Sequence, residues 1–199
     1  MTYTKIPILN RCAWVPSNDR LYTHYHDQEW GRPIKCEKEL FSKLIREGQQ
    51  AGLSWITLLR KRQNLLLAYN NFDPDLLANF DALDCERLMK NPNIIRSKLK
   101  INAAINNAKI FIYMRDQEKI NFSEYLWSFI NNTPIQNNWH KSKDIPKYSN
   151  VSKIMAADLK KRGFKFVGPV IVYAFMQAVG MTNDHTLNCF AHNICRDLN

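Results

Sequence analysis

The chain has 199 residues, of which 45% are apolar, so it can bury one substantial core and does not need a second independent domain. Its 28 Lys and Arg residues outnumber its 18 Asp and Glu residues, and the resulting net charge of +10 favours a polyanionic partner over the substrates of an ordinary metabolic enzyme. No apolar run of 18 residues occurs and the start lacks a signal-peptide pattern, so we expect an intracellular protein without a membrane partner.

Helical patterns occupy most of the chain. Apolar residues at helical spacing predict a helix over residues 36–52 that ends at Gly52, where a left-handed C-cap residue is favoured. Ser54 is placed to cap the next helix, and Asp73 to cap another with Pro74 at its first position. Further helices are predicted over residues 81–90, 94–114 and 122–130. Because no repeat or alternating strand pattern is visible, we predict an all-α fold and one domain over residues 1–199.

The segment 131–150 is polar and contains two prolines, which predicts an exposed connector.

A possible hairpin follows the connector. A basic helix end leads to Gly163, a four-residue turn and Gly168, and an apolar helix begins at Pro169. Such a hairpin can direct backbone N–H groups and a helix N-terminus at a phosphate, with Lys165 adding positive charge. The alternative is a pair of core helices with a solvated basic face, and the basic charge of the chain favours DNA.

Cysteine and histidine residues near the two ends of the chain form a possible metal site. The five cysteines are odd in number and scattered, which argues against a disulfide framework. Cys12 and His26 lie near the start, and the spacing of His185 and Cys189 predicts that they share one face of a helix, one turn apart. Four such ligands suit tetrahedral zinc and leave no position for water, so this zinc is structural and joins the termini. Two other histidines compete as ligands: His24 and His192.

Five blocks of sequence follow one another between residues 25 and 189. They are "YHDQEWG" (25–31), "EGQQAGLSWITLL" (47–59), "WSFIN" (127–131), "KRGFKFVG" (161–168) and "NDHTLNC" (183–189). Together they resemble the bacterial DNA-3-methyladenine glycosylase I family. The resemblance implies a helix-hairpin-helix glycosylase, with two helical lobes around a base-binding cleft, that flips 3-methyladenine out of alkylated double-stranded DNA and hydrolyses its N-glycosidic bond. We expect a monomer that acts on the nucleoid in the bacterial cytoplasm.

The resemblance also implies roles for individual residues. It assigns one structural Zn²⁺ to the four Cys and His ligands named above. It assigns Glu47 as the candidate catalytic-site residue and Trp55 as a base-binding residue, with Tyr25, Trp14 and Trp30 close to the same pocket. From residue type alone, a glutamate near a helix C-terminus is most often solvated, and a tryptophan such as Trp55 more often belongs to a core.

The chemistry of the implied substrate defines what Glu47 does. Methylation at N3 makes the adenine cationic, so aromatic rings and a carboxylate attract it more strongly than normal adenine. Glu47 is predicted to select the base by accepting a hydrogen bond from its exocyclic amine, without acting as an obligatory acid or base. Asn183 stands where many related glycosylases carry an aspartate, and the cationic base already has a weakened glycosidic bond.

The expected DNA contacts come from two places. Leu53, just past the turn at Gly52, is predicted to fill the gap left by the flipped base, although it also fits a core position. The hairpin is predicted to contact the phosphate backbone, through Gly163, Phe164, Lys165, Val167 and Gly168.

Two other classes of protein fit part of the pattern. A zinc-stabilised DNA-binding protein without catalysis shares the charge, the hairpin and the metal, but has no need for "EGQQAGLSW" beside several aromatic residues. A metallohydrolase needs an open zinc position, which four protein ligands exclude.

Three features depart from the family pattern. Ala13 and Asn93 stand where glycine is expected, and the tail differs from the family's usual ending and leaves Cys195 as a stray thiol.

Overall fold

The computed structural model describes residues 9–198. Within that range it is mostly helical, with ten α-helices, two short 3-10 helices and one pair of two-residue strands. None of the described helices is both long and apolar enough to cross a membrane. The α-helices are α1 (Arg20–Gln28), α2 (Glu37–Gln50), α3 (Trp55–Ala68), α4 (Pro74–Leu77), α5 (Ala82–Lys90), α6 (Lys98–Asp116), α7 (Phe122–Ser128), α8 (Asn150–Lys161), α9 (Pro169–Ala178) and α10 (Phe190–Arg196).

The turn between α2 and α3 follows the predicted pattern. Helix α2 ends at Gln50, and Gly52 has a φ of +76°, a left-handed conformation that glycine adopts without strain. The ammonium of Lys100 donates hydrogen bonds to the carbonyl oxygens of Gln49 and Ala51 (2.8 and 2.7 Å), and so satisfies acceptors at the C-terminus of α2. Ser54 occupies the N-cap position of α3, as predicted, but its hydroxyl hydrogen-bonds another side chain and not the backbone.

Side-chain caps set the start of several other helices. Asp73 accepts a hydrogen bond from the backbone N–H of Asp75, with Pro74 at the first helical position, which confirms the prediction. The helix predicted from residue 94 begins at Lys98, because the Ser97 side chain caps it. Asn93 does not have the positive φ expected for a residue in a glycine position.

One pair of short strands accompanies the helices of the described chain. Strand β1 (Ile135–Gln136) lies in the predicted connector and pairs in parallel with β2 (Thr182–Asn183). A two-residue strand is too short to show the alternation of apolar and polar residues on which strand prediction depends. The pairing joins the connector to the segment that precedes α10.

Two clusters of buried apolar residues form the interior. The larger cluster includes residues of α2, α3, α6, α8 and α9, such as Phe41 and Phe111, whose ring centroids lie 5.1 Å apart. The smaller cluster contains Tyr25 and Trp30 together with Cys12 and Cys189, among others. Trp55 packs against both clusters, so the beginning of α3 lies where they meet.

Candidate active site and metal centre

A pocket of about 440 Å³ opens where α1, α2, α3 and α9 meet the connector. Its volume lies in the range of about 300 to 1,000 Å³ that is typical of small-molecule sites. The five residues assigned to the base pocket by resemblance all line it, namely Trp14, Tyr25, Trp30, Glu47 and Trp55. They come from α1, α2, α3 and the segments that flank α1.

Glu47 lies in the last turn of α2 and is only 5% exposed, so the alternative of a solvated glutamate is wrong. Burial raises the pKa of its carboxyl group to about 7, although the nearby positive charges of Arg46 and Lys43 act in the opposite direction. In the described part of the chain, no side chain or backbone group hydrogen-bonds this carboxyl group. Glu47 is therefore a buried carboxyl group that lines the pocket without a hydrogen-bonding partner among the described residues.

Aromatic rings form the walls of the pocket. The rings of Tyr25 and Trp55 lie with centroids 4.9 Å apart, and those of Trp14 and Trp30 meet edge to face at 5.1 Å. Burial and the negative charge of Glu47 hold the pKa of the Tyr25 hydroxyl well above its usual value, so it remains a protonated donor. Such a site combines flat apolar surfaces for a heteroaromatic ring with a carboxylate that favours a cation or an N–H donor.

The sequence did not point to the pocket residues that α9 and the connector contribute. Tyr173 and Gln177 line it from α9, where they stand four residues apart on one face. The helical spacing of this pair is visible in the sequence, but nothing local indicates that the face borders a pocket. The connector also contributes to the lining, through Ser142, Ile145, Pro146 and Lys147.

Asp184 links these two missed parts of the pocket. It is fully buried, and its Oδ2 accepts hydrogen bonds from the Tyr173 hydroxyl and the Gln177 amide, each 2.7 Å long. Its Oδ1 accepts hydrogen bonds from the Asn137 amide and the Trp139 indole N–H, also 2.7 Å long. The carboxylate therefore fixes the connector against α9.

Asn183 lies in β2 and does not line the pocket. Its amide donates hydrogen bonds to the His192 carbonyl and the Gln136 side chain, both 2.9 Å long. Its oxygen accepts a weaker hydrogen bond from the backbone N–H of His185 (3.3 Å). These contacts hold the C-terminal segment in place and leave Asn183 no contact with a base.

The four predicted metal ligands converge in the fold. Cys12, His26, His185 and Cys189 are buried, and their potential ligand atoms all lie within 4.8 Å of one another. The Sγ atom of Cys189 is 3.4 Å from Nε2 of His26 and 3.5 Å from Nδ1 of His185, and the Cys12 Sγ is also 3.5 Å from the latter. Zinc bonds of 2.0 to 2.3 Å in a tetrahedron place ligand atoms about 3.5 Å apart, so this donor set fits Zn²⁺.

Hydrogen bonds around this site orient both imidazole rings. The Nδ1 atom of His26 lies 2.7 Å from a carboxylate oxygen of Asp27, which Arg11 holds through both of its oxygens. The Nε2 atom of His185 lies 3.2 Å from the carbonyl oxygen of Trp30. Because these nitrogens carry the protons, Nε2 of His26 and Nδ1 of His185 are left as metal ligands.

The C-terminal half of the metal site differs from its prediction. His185 and Cys189 do not lie on one helix, because residues 186–189 form a turn and Cys189 is the N-cap residue of α10. A hydrogen bond of 2.8 Å from the backbone N–H of Cys189 to the Thr186 carbonyl closes this turn. The competing ligands lie elsewhere: His24 is exposed, and the ring of His192 hydrogen-bonds a backbone carbonyl.

Cys195 is buried next to the metal site without belonging to it. Its Sγ lies 3.9 Å from the Trp30 carbonyl oxygen. Burial raises the pKa of this thiol to about 11, so it remains protonated and unreactive at neutral pH.

The hairpin between α8 and α9 is fixed by α6. Asn107 both accepts a hydrogen bond from the backbone N–H of Lys165 (2.8 Å) and donates one to its carbonyl oxygen (2.9 Å). The Asn106 amide donates to the carbonyl oxygen of Gly163 (3.0 Å). These bonds leave the side chain of Lys165 exposed at the tip of the turn.

Only part of the hairpin is available to a partner. The side chains of Phe164 and Val167 are 2% and 1% exposed, so these two residues present only their backbone. A Cβ atom on Gly48 would lie 3.2 Å from the Cβ atom of Phe166, which shows how closely the hairpin packs against α2. Leu53, in the neighbouring turn, is 38% exposed, and the alternative that it belongs to the core is wrong.

Comparison with known proteins agrees with this geometry. A profile of the methyladenine glycosylase family matches residues 14–192. The DNA-3-methyladenine glycosylase of Haemophilus influenzae is 44% identical over 179 residues, which make up 90% of this chain and 96% of that protein. DNA-3-methyladenine glycosylase 1 of Escherichia coli K12 is 45% identical over 91% of this chain and 96% of its own length.

Solved structures give the same result. A crystal structure of a 3-methyladenine DNA glycosylase I superposes with a TM-score of 0.89 at 46% identity, covering 92% of this chain and 100% of the other. The Staphylococcus aureus 3-methyladenine DNA glycosylase I, solved to explain its recognition of 3-methyladenine, superposes with a TM-score of 0.87 at 35% identity, over 92% and 97% of the two chains. This chain belongs to the methyladenine glycosylase family.

Proposed function

We propose that this chain is a monofunctional DNA glycosylase that excises 3-methyladenine from alkylated double-stranded DNA in base excision repair. The observation that carries this proposal is the carboxyl group of Glu47, which is buried in an aromatic pocket and has no hydrogen-bonding partner among the described residues. A binding protein that only grips the DNA backbone has no use for such a group. The relatives that share 44% and 45% of their residues with this chain act on 3-methyladenine, as their names state.

The pocket receives the base after it has left the double helix. A base stacked in the duplex is out of reach, so the nucleotide must rotate outward at a cost of a few kcal/mol. Stacking on aromatic side chains, worth about 1 to 3 kcal/mol per base, offsets much of that cost. The rings of Tyr25 and Trp55, together with Trp14 and Trp30, supply these surfaces, and their electron-rich faces favour a cationic base over a neutral one.

Glu47 selects the methylated adenine. Its carboxylate accepts a hydrogen bond from the exocyclic amine, and its negative charge offsets the positive charge of the base. Guanine presents a carbonyl oxygen at the corresponding position, and two acceptors facing each other leave a buried group unpaired at a cost of about 1 to 3 kcal/mol.

Hydrolysis needs little acid catalysis because the leaving base is already cationic. The bond between C1′ of the sugar and N9 of the base breaks, and its electron pair moves onto the base, which leaves as neutral 3-methyladenine. The oxygen of a water molecule bonds to C1′, and that water releases one proton to solvent. Contacts that strengthen as the base departs accelerate the step.

The DNA contacts follow from the surface beside the pocket. The helix-hairpin-helix formed by α8, residues 162–168 and α9 contacts the phosphate backbone through the backbone of the turn and the ammonium of Lys165. Leu53 is exposed in the turn before α3, two residues ahead of the pocket residue Trp55, and it fills the gap left by the flipped base. The two apolar clusters correspond to two lobes of one domain, with the base-binding cleft between them.

The metal centre of this proposal is structural. Cys12, His26, His185 and Cys189 hold one Zn²⁺, which supplies a cross-link between segments more than 150 residues apart in the chain. With four protein ligands no position remains for water, so the pocket residues carry out base excision without it. We propose a monomer that acts in the bacterial cytoplasm.

Incubation of the pure chain with methylated duplex DNA tests the proposal directly. We expect 3-methyladenine to be released as the main product, identified by chromatography and mass. A Glu47→Ala variant serves as the matched control for release by a contaminating enzyme. Binding of DNA without release of any base would favour the DNA-binding alternative and contradict the proposal.

A further inference from the structure

The pocket carries two opposite charges at different depths. Among the described residues that line it, only Glu47 and Lys147 are charged. Glu47 is buried, whereas Lys147 belongs to the connector and is exposed. The negative charge therefore lies inside the pocket, and the positive charge belongs to a residue at its edge, where the wall meets solvent.

The connector holds the backbone of Lys147 at this edge. Two residues before it, Ile145 packs against the larger apolar cluster, and its backbone N–H donates a hydrogen bond to the Ser142 carbonyl (3.3 Å). Two residues after it, Ser149 caps α8 and exchanges hydrogen bonds of 2.9 and 3.1 Å with Ser152. The backbone at Lys147 is thus anchored on both sides.

The ammonium of Lys147 is available to an anion from solution. In the described part of the chain it forms no ion pair and no hydrogen bond. The cations behind the pocket are committed to another group, because Arg62 and Lys43 both pair with Glu29, at 2.6 and 3.5 Å. Lys147 is therefore the positively charged lining residue that can meet a ligand at the opening.

The opening of the pocket borders the hairpin. Val170 lines the same pocket, and it stands two residues after Gly168, at the start of α9. The edge at which Lys147 lies therefore adjoins the surface that we assign to the DNA backbone. A strand that crosses the hairpin passes this edge when one of its nucleotides enters the pocket.

We propose that Lys147 binds a phosphate next to the flipped nucleotide while Glu47 accepts its base. This inference rests on the proposed function. An alkylated nucleotide has the complementary arrangement of charges, because its methylated base is cationic and the phosphates on its 5′ and 3′ sides are anionic. The phosphates remain in the strand and stay at the opening when the base enters. A lysine ammonium offers a compact charge and three N–H donors to such an oxygen.

Two binding measurements separate a phosphate contact from a role in the pocket itself. Free 3-methyladenine has no phosphate, so Lys147→Ala should bind it with wild-type affinity. A duplex with a single 3-methyl-3-deazaadenine nucleotide, an analogue that resists cleavage, should bind Lys147→Ala about 3- to 10-fold more weakly at low salt, because one phosphate contact is lost. Lys147→Arg keeps the positive charge and should bind the duplex nearly as the wild type does.

The matched control is Lys143→Ala, which changes an exposed lysine of the same connector that does not line the pocket. It should bind both the free base and the duplex as the wild type does.

A neutral methylphosphonate in the duplex identifies the phosphate. It replaces the phosphate on either the 5′ or the 3′ side of the analogue. At one of these two positions it should weaken binding by the wild-type chain, and Lys147→Ala should lose nothing more there. At the other position, the losses caused by the methylphosphonate and by the substitution should add.

The outcomes separate this inference from the proposed function. If Lys147→Ala loses as much affinity for the free base as for the duplex, the residue shapes the pocket and the phosphate contact is overturned. Additive losses at both flanking positions, or an equal loss in Lys143→Ala, would also overturn it and leave the glycosylase function standing. If the wild-type chain releases no 3-methyladenine from methylated DNA, the proposed function and this inference are wrong together.

Discussion

The imidazole of His185 contacts Trp30 in two ways. Its Nε2 lies 3.2 Å from the Trp30 carbonyl oxygen, and the two rings meet edge to face with centroids 4.6 Å apart. Trp14 makes a similar edge contact with the ring of His26, at 5.2 Å. Because both tryptophans line the pocket, the candidate metal ligands form the layer directly behind its wall. We therefore expect a change at the metal centre to reach the base-binding surface through these ring contacts.

We predict that one zinc ion binds per chain and that Cys12→Ser and His185→Ala each lose it. Loss of a cross-link between the two ends of the chain should lower the free energy of unfolding by several kcal/mol, on the order of 2 to 5. The affinity for 3-methyladenine should fall as well, because Trp14 and Trp30 lose their support. Metal analysis, urea unfolding and a binding titration measure these three effects.

The matched controls for the zinc prediction are Cys36→Ser and His24→Ala, which change exposed residues of the same two types. Both controls should retain one zinc per chain and wild-type stability. Full zinc content in both Cys12→Ser and His185→Ala would show that the four residues are not the ligands.

Replacement of Glu47 tests whether it selects the base or catalyses its release. Glu47→Gln keeps a carbonyl acceptor and removes the charge, so base binding and single-turnover excision should weaken by on the order of 1 to 2 kcal/mol, about tenfold. Glu47→Ala should cost more in both measurements. A Gln variant that binds free base normally but cleaves about 10² to 10⁴ times more slowly would instead indicate an essential acid or base catalyst.

The pKa of Glu47 predicts how stability depends on pH. Burial raises this pKa from 4.5 to about 7 in the folded chain, so the folded state retains a proton that the unfolded state loses. The stability that this proton contributes is complete below pH 4.5 and is lost as the pH rises to about 7. At 1.36 kcal/mol per pH unit, this loss amounts to about 3 kcal/mol.

Glu47→Gln cannot titrate, so its stability relative to the wild type should increase between pH 4.5 and pH 7 and remain constant above that. Urea unfolding of both proteins at a series of pH values from 4.5 to 8 measures the difference. Parallel stability profiles for the two proteins would mean that the carboxyl group is already ionised at low pH and that its burial has little electrostatic cost.

Lys165→Ala tests the hairpin as a DNA contact. Loss of one phosphate contact should weaken binding to all DNA sequences alike and reduce the slope of log affinity against log salt by about 1. The control is Lys38→Ala, an exposed lysine that pairs with Asp73 and lies near the other end of α2, about 15 Å from Gly48 by helix rise. Binding by Lys165→Ala that matches the wild type over the whole salt series would place the DNA surface elsewhere.

The sequence by itself determined the elements that depend on neighbouring residues. The all-α class, the turn at Gly52 and the start of α4 at Asp73 and Pro74 follow from apolar spacing and capping chemistry, which act within one or two turns of a helix. The members of the pocket came from family resemblance, since a lone Glu47 carries no such information. The metal site was expected from the cysteine and histidine residues near the two ends of the chain, and the resemblance selected the four ligands from the competing histidines. Residue type alone pointed the other way for Glu47.

Only the tertiary structure decided which residues complete the site. The connector forms one wall of the pocket because Asp184 binds Trp139 and Tyr173, which lie 34 residues apart in the chain and on different elements. His185 and Cys189 were predicted to lie on one helix, but they are joined by a turn. This turn lies between β2 and α10, and the contacts of these two elements with distant parts of the chain fix its ends. Periodicity reports which face of an element is apolar, but contacts between distant segments determine what that face meets.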